Sequence, residues 1–292
     1  MKNKDKIHIF GNKKRLKEFI SIISKFEHQL DFFDLESPEY LLEQIKELYE
    51  NQRPYQKWNQ FIGTKERHLA VPNPIFKKFI NLYLLPLIKK VECHSNAHGG
   101  EKYWSPKKSL ETLLPCRTVF SFDLASAFDN VNAKKVFDFF YKHPLFDQNN
   151  KEDFSLFLSD ILTVDYHGNR VLPQGAPHSV ALFNRIFYDL DVVLDKKTNE
   201  RGFNYVRWID DITISSSENL ELRDFLGALK LVEEYTSIAK NKVFFQKNPK
   251  PIYLLGQTIE GNRIFKNSKE EREENKQKPL DYNVFLNSPN SW

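Results

Sequence analysis

Three aspartates stand at the ends of apolar runs in this chain. Asp123 closes Thr118-Val119-Phe120-Ser121-Phe122, and Asp210-Asp211 lie between Tyr205-Val206-Arg207-Trp208-Ile209 and Ile212-Thr213-Ile214. β-Branched and aromatic residues around a compact acidic turn predict a strand and a hairpin. Carboxylate oxygens suit Mg²⁺, and carboxylates gathered from two such strands would hold two divalent ions of the kind that drive in-line phosphoryl transfer. That is the chemistry of a nucleic-acid polymerase. An Asp-Asp pair by itself is more often a solvated turn, so the rest of the chain has to decide.

The elements that must position these carboxylates belong to an ordinary folded composition. The chain has 292 residues, of which 40% are hydrophobic and 28% charged, with 25 Phe against a single Met. Its length calls for one large or two packed subdomains. A net charge of +4, with 39 acidic residues against 43 basic ones, is a weak signal for nucleic acid. Cys93 and Cys116 cannot build a disulfide framework or a four-ligand zinc site, and Cys93, His94 and His98 read as an incidental loop cluster. This cysteine usage fits a reducing cytoplasm. The Lys-rich start runs into Ile7-His8-Ile9-Phe10-Gly11 and then more basic residues, unlike a secretory signal. The longest apolar segment, Phe79 to Ile88, is broken by Asn81 and Pro86 and is too short to span a bilayer. A soluble, cytoplasmic protein is expected.

Apolar spacing predicts helices over residues 12–31 and from Ser37 through Leu48, then a joint at Gln52-Arg53-Pro54. From Pro54 to Pro115 basic residues are interleaved with aromatics, among them Tyr55, Lys57, Trp58, Lys65, Arg67, Tyr103 and Trp104, as in a groove that tracks a nucleic-acid backbone or, equally, on a solvated basic face. Helices are expected over Phe128–Tyr141, Phe154–Ile161, Val180–Leu194 and about Leu220–Ile238. A hairpin is expected to turn at His167-Gly168-Asn169, strands at Lys242–Gln246 and Ile252–Leu255, and another hairpin at Glu260-Gly261-Asn262-Arg263.

Taken in order, these segments resemble the fingers and palm of reverse transcriptases over roughly residues 54–264. Phe122-Asp123-Leu124 with Ala127-Phe128-Asp129 is similar to the first palm motif, and Leu172-Pro173-Gln174-Gly175-Ala176-Pro177-His178-Ser179 to the second. Arg207-Trp208-Ile209-Asp210-Asp211 resembles the aromatic-x-Asp-Asp hairpin, and Leu254-Leu255-Gly256 the primer grip. The resemblance implies an α+β fold of the right-hand polymerase type, with an antiparallel palm sheet backed by helices and the thumb reduced or absent. Its domains would be an N-terminal helical extension (1–53), fingers (54–115), a palm with finger insertions (116–264) and a charged C-terminal tail (265–292).

The resemblance also implies roles. Asp123, Asp210 and Asp211 would be catalytic and hold two Mg²⁺ ions, with Mn²⁺ as a substitute, Asp211 being the more peripheral. Lys242 would protonate the leaving pyrophosphate. Lys65 and Arg67 would bind the triphosphate, and Gln174 and Gly175 would contact the incoming nucleotide. Trp208, Leu255 and Gly256 would touch primer and template. Phe128, five residues after Asp123, would collide with a ribose 2′-hydroxyl and so select deoxynucleotides. The implied partners are an RNA template, a DNA or RNA primer and dNTPs, with an associated non-coding RNA or accessory protein as a further candidate and no membrane.

Trp208 replaces the Tyr common before the acidic pair, which keeps an aromatic surface and one N–H donor. The compact length resembles the bacterial reverse transcriptases of retrons, diversity-generating elements and phage-defence systems. Gln174 argues against the diversity-generating group, and Ser95-Asn96-Ala97-His98-Gly99 does not keep the Asn-Ala-x-x-His spacing of retrons. The expected function is RNA-directed DNA synthesis in a prokaryotic mobile element or defence system. The alternatives are a catalytically silent nucleic-acid-binding scaffold and a template-independent DNA polymerase.

Overall fold

The computed structural model describes residues 54–62, 65–146, 151–247, 251–260 and 262–268, with isolated positions 40, 43, 44, 47 and 51. The helices expected before residue 50 fall almost wholly outside the described residues, as does the tail beyond 268. In chain order the first elements are β1 (Tyr55–Ile62), β2 (Lys65–Pro72), α1 (Pro74–Phe79), α2 (Leu85–Lys89), α3 (Pro106–Glu111) and β3 (Thr118–Asp123). Next come α4 (Ala133–Lys142), α5 (Lys151–Ile161), β4 (Val164–Tyr166), β5 (Asn169–Val171), α6 (Pro177–Ile186) and α7 (Tyr188–Asn199). The last are β6 (Asn204–Trp208), β7 (Asp211–Ser216), α8 (Leu226–Glu233), β8 (Phe244–Lys247), β9 (Ile252–Leu254), β10 (Gln257–Glu260) and β11 (Arg263–Lys266). They fall into two compact units, each built from discontinuous segments: one takes the chain up to Glu92 with Phe128–Ile186, the other Cys93–Ala127 with Phe187 onward.

In the first unit β1 and β2 form an antiparallel hairpin from Tyr55↔Pro72 to Ile62↔Lys65. Asn73 caps α1 by accepting from the Ile75 N–H, and Pro74 fits the first turn because its missing N–H has no helical partner there. α1 passes through a π-helical stretch, Ile80–Leu84, into α2. Pro86 explains the widened turn: its ring crowds the carbonyl four residues back, and the Leu85 N–H bonds instead to the Ile80 carbonyl. The helix expected from Phe128 begins only at Ala133, where Asn132 accepts from the Lys135 N–H. Residues 128–131 form a turn closed by the Val131 N–H on the Phe128 carbonyl. The helix expected over Val180–Leu194 is two helices, α6 and α7, broken at Phe187 (φ −91°, ψ 12°). The hairpin at His167-Gly168 forms as expected, with both residues at positive φ and Tyr166 opposite Asn169.

The second unit carries a four-stranded antiparallel sheet in the order β6-β7-β3-β8. β3 lies centrally, with register Thr118↔Ser216 to Asp123↔Asp211 on one side and Thr118↔Lys247 to Ser121↔Phe244 on the other. Phe120, Phe122, Ile212 and Ile214 are buried. Phe225 stacks on Phe120 and Phe203 at centroid distances of 5.5 and 5.1 Å. The helix expected over Leu220–Ile238 is shorter: a 3₁₀ turn, Leu222–Phe225, leads into α8, which ends at Glu233. A second antiparallel sheet, β11-β10-β9, packs Ile252, Leu254 and Ile259 against Leu110, Leu113, Cys116, Val119 and Val206. The expected α+β architecture, an antiparallel sheet backed by helices, is present. Among the described residues no helix is long and apolar enough to cross a membrane.

His178 on α6 is fully buried, and its Nε2–H donates to the Leu162 carbonyl at 3.0 Å. Burial pushes its pKa down to about 4, partly opposed by that hydrogen bond. Because the folded value lies below the unfolded one near 6.5, the unfolded chain binds the proton first. This stabilisation is complete above about pH 6.5 and is lost as pH falls toward 4. Chemical denaturation at pH 7.5 and 4.5 should show His178→Gln losing about 2.5 kcal/mol less than the parent over that interval. Equal losses would mean that His178 titrates normally.

Candidate active site

β3 and β7 are antiparallel neighbours whose register ends at Asp123↔Asp211, so both carboxylates stand at one end of the sheet. Two residues inward on the same face, Ser121 and Thr213 face each other with their hydroxyls 3.2 Å apart. Asp210 occupies the turn between β6 and β7, and its carbonyl accepts from the Leu124 N–H at 2.9 Å. The Asp123 carbonyl in turn accepts from the Ala239 N–H at 2.8 Å, which fixes the start of the 3₁₀ turn Lys240–Lys242 beside the end of β3. From that turn the Lys242 ammonium reaches the Asp123 carboxylate in an ion pair.

Asp123, Asp211 and Lys242 line a cavity of about 330 Å³ with Ser121, Thr213, Asn241, Tyr253 and Leu255. Burial pushes the Asp211 carboxyl up to about 6. It is a carboxylate whose charge the protein does not compensate fully. Leu255 and Gly256, both at positive φ, make the tight turn between β9 and β10. Trp208 is the last residue of β6, directly opposite Asp211. Among the described residues no three His, Cys, Asp or Glu side chains converge closely enough to form a metal site.

The remaining sequence-nominated residues belong to the first unit. Lys65 opens β2, and Arg67 is exposed on it. Leu69, two residues on, bridges to Gln174, whose carbonyl accepts from the Ala70 N–H at 2.8 Å. The second motif is thereby tied to the β1–β2 hairpin. Gly175 has φ +102°, and a Cβ there would meet the Val71 side chain at 3.2 Å. The Gln174 side chain bonds Asp129, whose pKa burial raises and that bond and the His68 charge lower. Trp58, His68, Tyr166, Asp129 and Gln174 line a cavity of about 220 Å³. The half-buried Phe128 ring packs on Phe183, with centroids 5.4 Å apart.

The structure thus groups Asp123, Asp211, Lys242 and Leu255 around one cavity and Gln174 around another; Asp210, Trp208 and Gly256 lie in turns and strands of the second unit. Sequence reasoning passed over Ser121 and Thr213. Their signal was the strand period of two: each lies two positions from an aspartate, a polar residue inside an apolar run. It also passed over Asp191 of α7, which grips Arg207 in a buried ion pair.

The family described as reverse transcriptase (RNA-dependent DNA polymerase) matches residues 62–259. The Retron Ec86 reverse transcriptase of Escherichia coli is 28% identical over 166 residues, covering 56% of this chain and 49% of the relative. The Retron Se72 reverse transcriptase of Salmonella heidelberg (strain 579083-10) is 28% identical over 171 residues, 58% of this chain and 42% of the relative. The Retron Mx65 reverse transcriptase of Myxococcus xanthus is 28% identical over 217 residues, 70% and 50%. The chain therefore spans about half the length of the curated relatives it matches. Among solved structures, apo telomerase from Candida Tropicalis superposes with a TM-score of 0.53 at 12% identity, covering 88% of this chain and 53% of that one. The same telomerase truncated from its C-terminal domain gives 0.51 at 12%, covering 88% and 69%. At that identity the likeness concerns the fold alone. With the family match covering more than half of the chain and taking in the acidic turn and the cavity beside it, the chain belongs to the reverse transcriptase (RNA-dependent DNA polymerase) family.

Proposed function

We propose that the protein is an RNA-directed DNA polymerase that adds deoxynucleotides to a primer 3′-hydroxyl, in the cytoplasm of a prokaryote and in a retron or phage-defence setting. The observation that carries this reading is the Asp123↔Asp211 register, which puts two carboxylates at one end of the central strand pair in a chain of this family. The retron relatives support the setting. Residues 54–115 would act as fingers and 116–264 as palm.

Reverse transcriptases use divalent metal ions. Asp123 and Asp211 fit such ions as they stand: both line one cavity, burial raises the Asp211 carboxyl, and the cation now paired with Asp123 is a lysine ammonium. Asp123, Asp210 and Asp211 would hold two Mg²⁺. Bound there, the metal supplies activation of the 3′-hydroxyl and neutralisation of phosphate charge. The protein's own residues position the reactants. Lys65 and Arg67 clamp the triphosphate, Arg67 through its planar fork. The Gln174 amide and the open backbone at Gly175 contact the nascent base pair. Trp208, Leu255 and Gly256 hold the primer end. Lys242 Nζ carries the proton delivered to the leaving pyrophosphate. The template is RNA, the primer DNA or RNA, and an associated non-coding RNA is a further partner.

Primer extension on an RNA template with Mg²⁺ tests this directly, comparing dNTPs with NTPs. Incorporation of dNTPs alone is expected. Phe128→Ala should admit NTPs at least about tenfold better, because it removes the ring against which a 2′-hydroxyl would collide. Failure of the parent to extend any primer with dNTPs, in Mg²⁺ or Mn²⁺, would sink the proposal.

A further inference from the structure

We propose that Gly99 and Arg207 are positioning residues that bracket the acidic turn from behind and fix the backbone of Ile209. The role assigned to the bracket rests on the polymerase reading of that turn. Ile209 has φ +59°, a left-handed conformation that a β-branched residue resists and that surrounding structure must impose. Two independent contacts converge on it.

The first contact is a close approach. A Cβ on residue 99 would lie 2.5 Å from the Ile209 nitrogen, 2.6 Å from Ile209 Cγ1 and 2.9 Å from the Trp208 carbonyl carbon. Only glycine lets this segment lie flat against the turn. The segment is itself pinned to β6, since the Arg207 N–H donates to the Asn96 carbonyl at 2.8 Å and the His98 N–H to the Arg207 carbonyl at 2.9 Å. Asn96 Nδ2 donates to Asp195 of α7 at 2.7 Å, and the His98 ring stacks on Trp104.

The second contact is a directed donor. The Arg207 guanidinium is fully buried, and its Nε and Nη2 donate to the two Asp191 oxygens at 2.8 and 2.6 Å. That fork aims Nη1 at the Ile209 carbonyl, 2.8 Å away. Tyr205 Oη donates to the same Asp191 at 2.5 Å and holds the carboxylate in place. A lysine could neutralise Asp191 but has no planar fork with which to serve Ile209 as well.

The test uses Gly99→Ala and Arg207→Lys, with Gly202→Ala as the control. Gly202 also has positive φ (+68°), but nothing lies within 4 Å of a Cβ there. It therefore loses stability without pushing on the turn. Two readouts are needed. In primer extension, Gly99→Ala and Arg207→Lys should lower kcat about 100-fold and leave the KM for dNTP within about twofold, while the control keeps both. In the absence of substrates, acrylamide quenching of Trp208 emission, isolated by subtracting a Trp208→Phe counterpart of each protein, should increase in the two bracket variants and not in the control. A folded Gly99→Ala or Arg207→Lys protein with parental kcat and quenching would overturn the proposal. So would failure of both variants to fold, which would leave the bracket a purely structural role. A parent that makes no DNA would defeat the polymerase reading alone, and the quenching arm would still decide the bracket.

Discussion

Replacing Asp123 with asparagine is expected to cut primer extension by about three orders of magnitude or more, because it removes a charged ligand at the point where phosphate charge must be neutralised. The fold should survive. Asn has the same shape, the β3–β7 register is carried by backbone hydrogen bonds, and the lost ion pair involves a half-exposed Lys242. Such a pair is worth at most about 1 kcal/mol. Single-turnover extension alongside a melting curve separates the two effects. Asp211→Asn sharpens the comparison: burial disfavours that carboxylate's charge, so removing the charge should lower activity and, with a chelator present, raise the melting temperature. An Asp123→Asn protein that retains a tenth or more of parental activity would remove this carboxylate from the chemistry.

The second large effect concerns Arg207 and Asp191, whose charged groups are both fully buried. Burial opposes the charge on Arg207, and the adjoining Asp191 outweighs it and holds the guanidinium above its ordinary range. Arg207→Met leaves the Asp191 carboxylate buried without its counter-ion and is expected to cost about 3–5 kcal/mol, a fall of about 5–10 °C in Tm. The triple replacement Arg207→Met/Asp191→Leu/Tyr205→Phe removes the whole polar cluster, so no member is left orphaned. It should recover most of that stability but not polymerase activity, since the Ile209 carbonyl still lacks its donor. Thermal melts and extension assays on both proteins check this. Recovery of activity together with stability would show that the cluster serves only the core.

What the sequence made legible follows from how local each signal is. The acidic strands stood out because aspartate is costly inside an apolar β run, and the structure places them as adjacent strands. The two-residue turn at His167-Gly168 was legible because only a few residue types accept positive φ at both positions. Helix ends were less so. Asn132 moved the start of α4 to Ala133, and a cap competes with apolar periodicity on equal terms. The break at Phe187 carries no Gly or Pro, so no local residue announced it. β1 went unread because most of its side chains are exposed and lack alternation. The longest helix among the described residues, α1 to α2, was masked by Pro86, which the π-helical stretch absorbs. At the site, the aspartates could be named from their strands. The Lys242 ion pair, the Gly99 approach and the Asp191 grip on Arg207 join residues far apart in the chain, which no local pattern encodes.

The interleaving of the two units governs how the chain can fold as it is made. Ser121 on the central strand meets Thr213 across 92 residues of sequence. At ordinary translation rates of ~5–20 residues per second, β3 waits roughly 5–20 s before its first neighbour exists. During that interval Thr118–Asp123, an apolar β-forming run with an unsatisfied backbone on both edges, is the segment most open to pairing with another nascent chain. Asp123 closes this run, so the residue proposed for catalysis also places a charge at the end of the strand that is most exposed during synthesis.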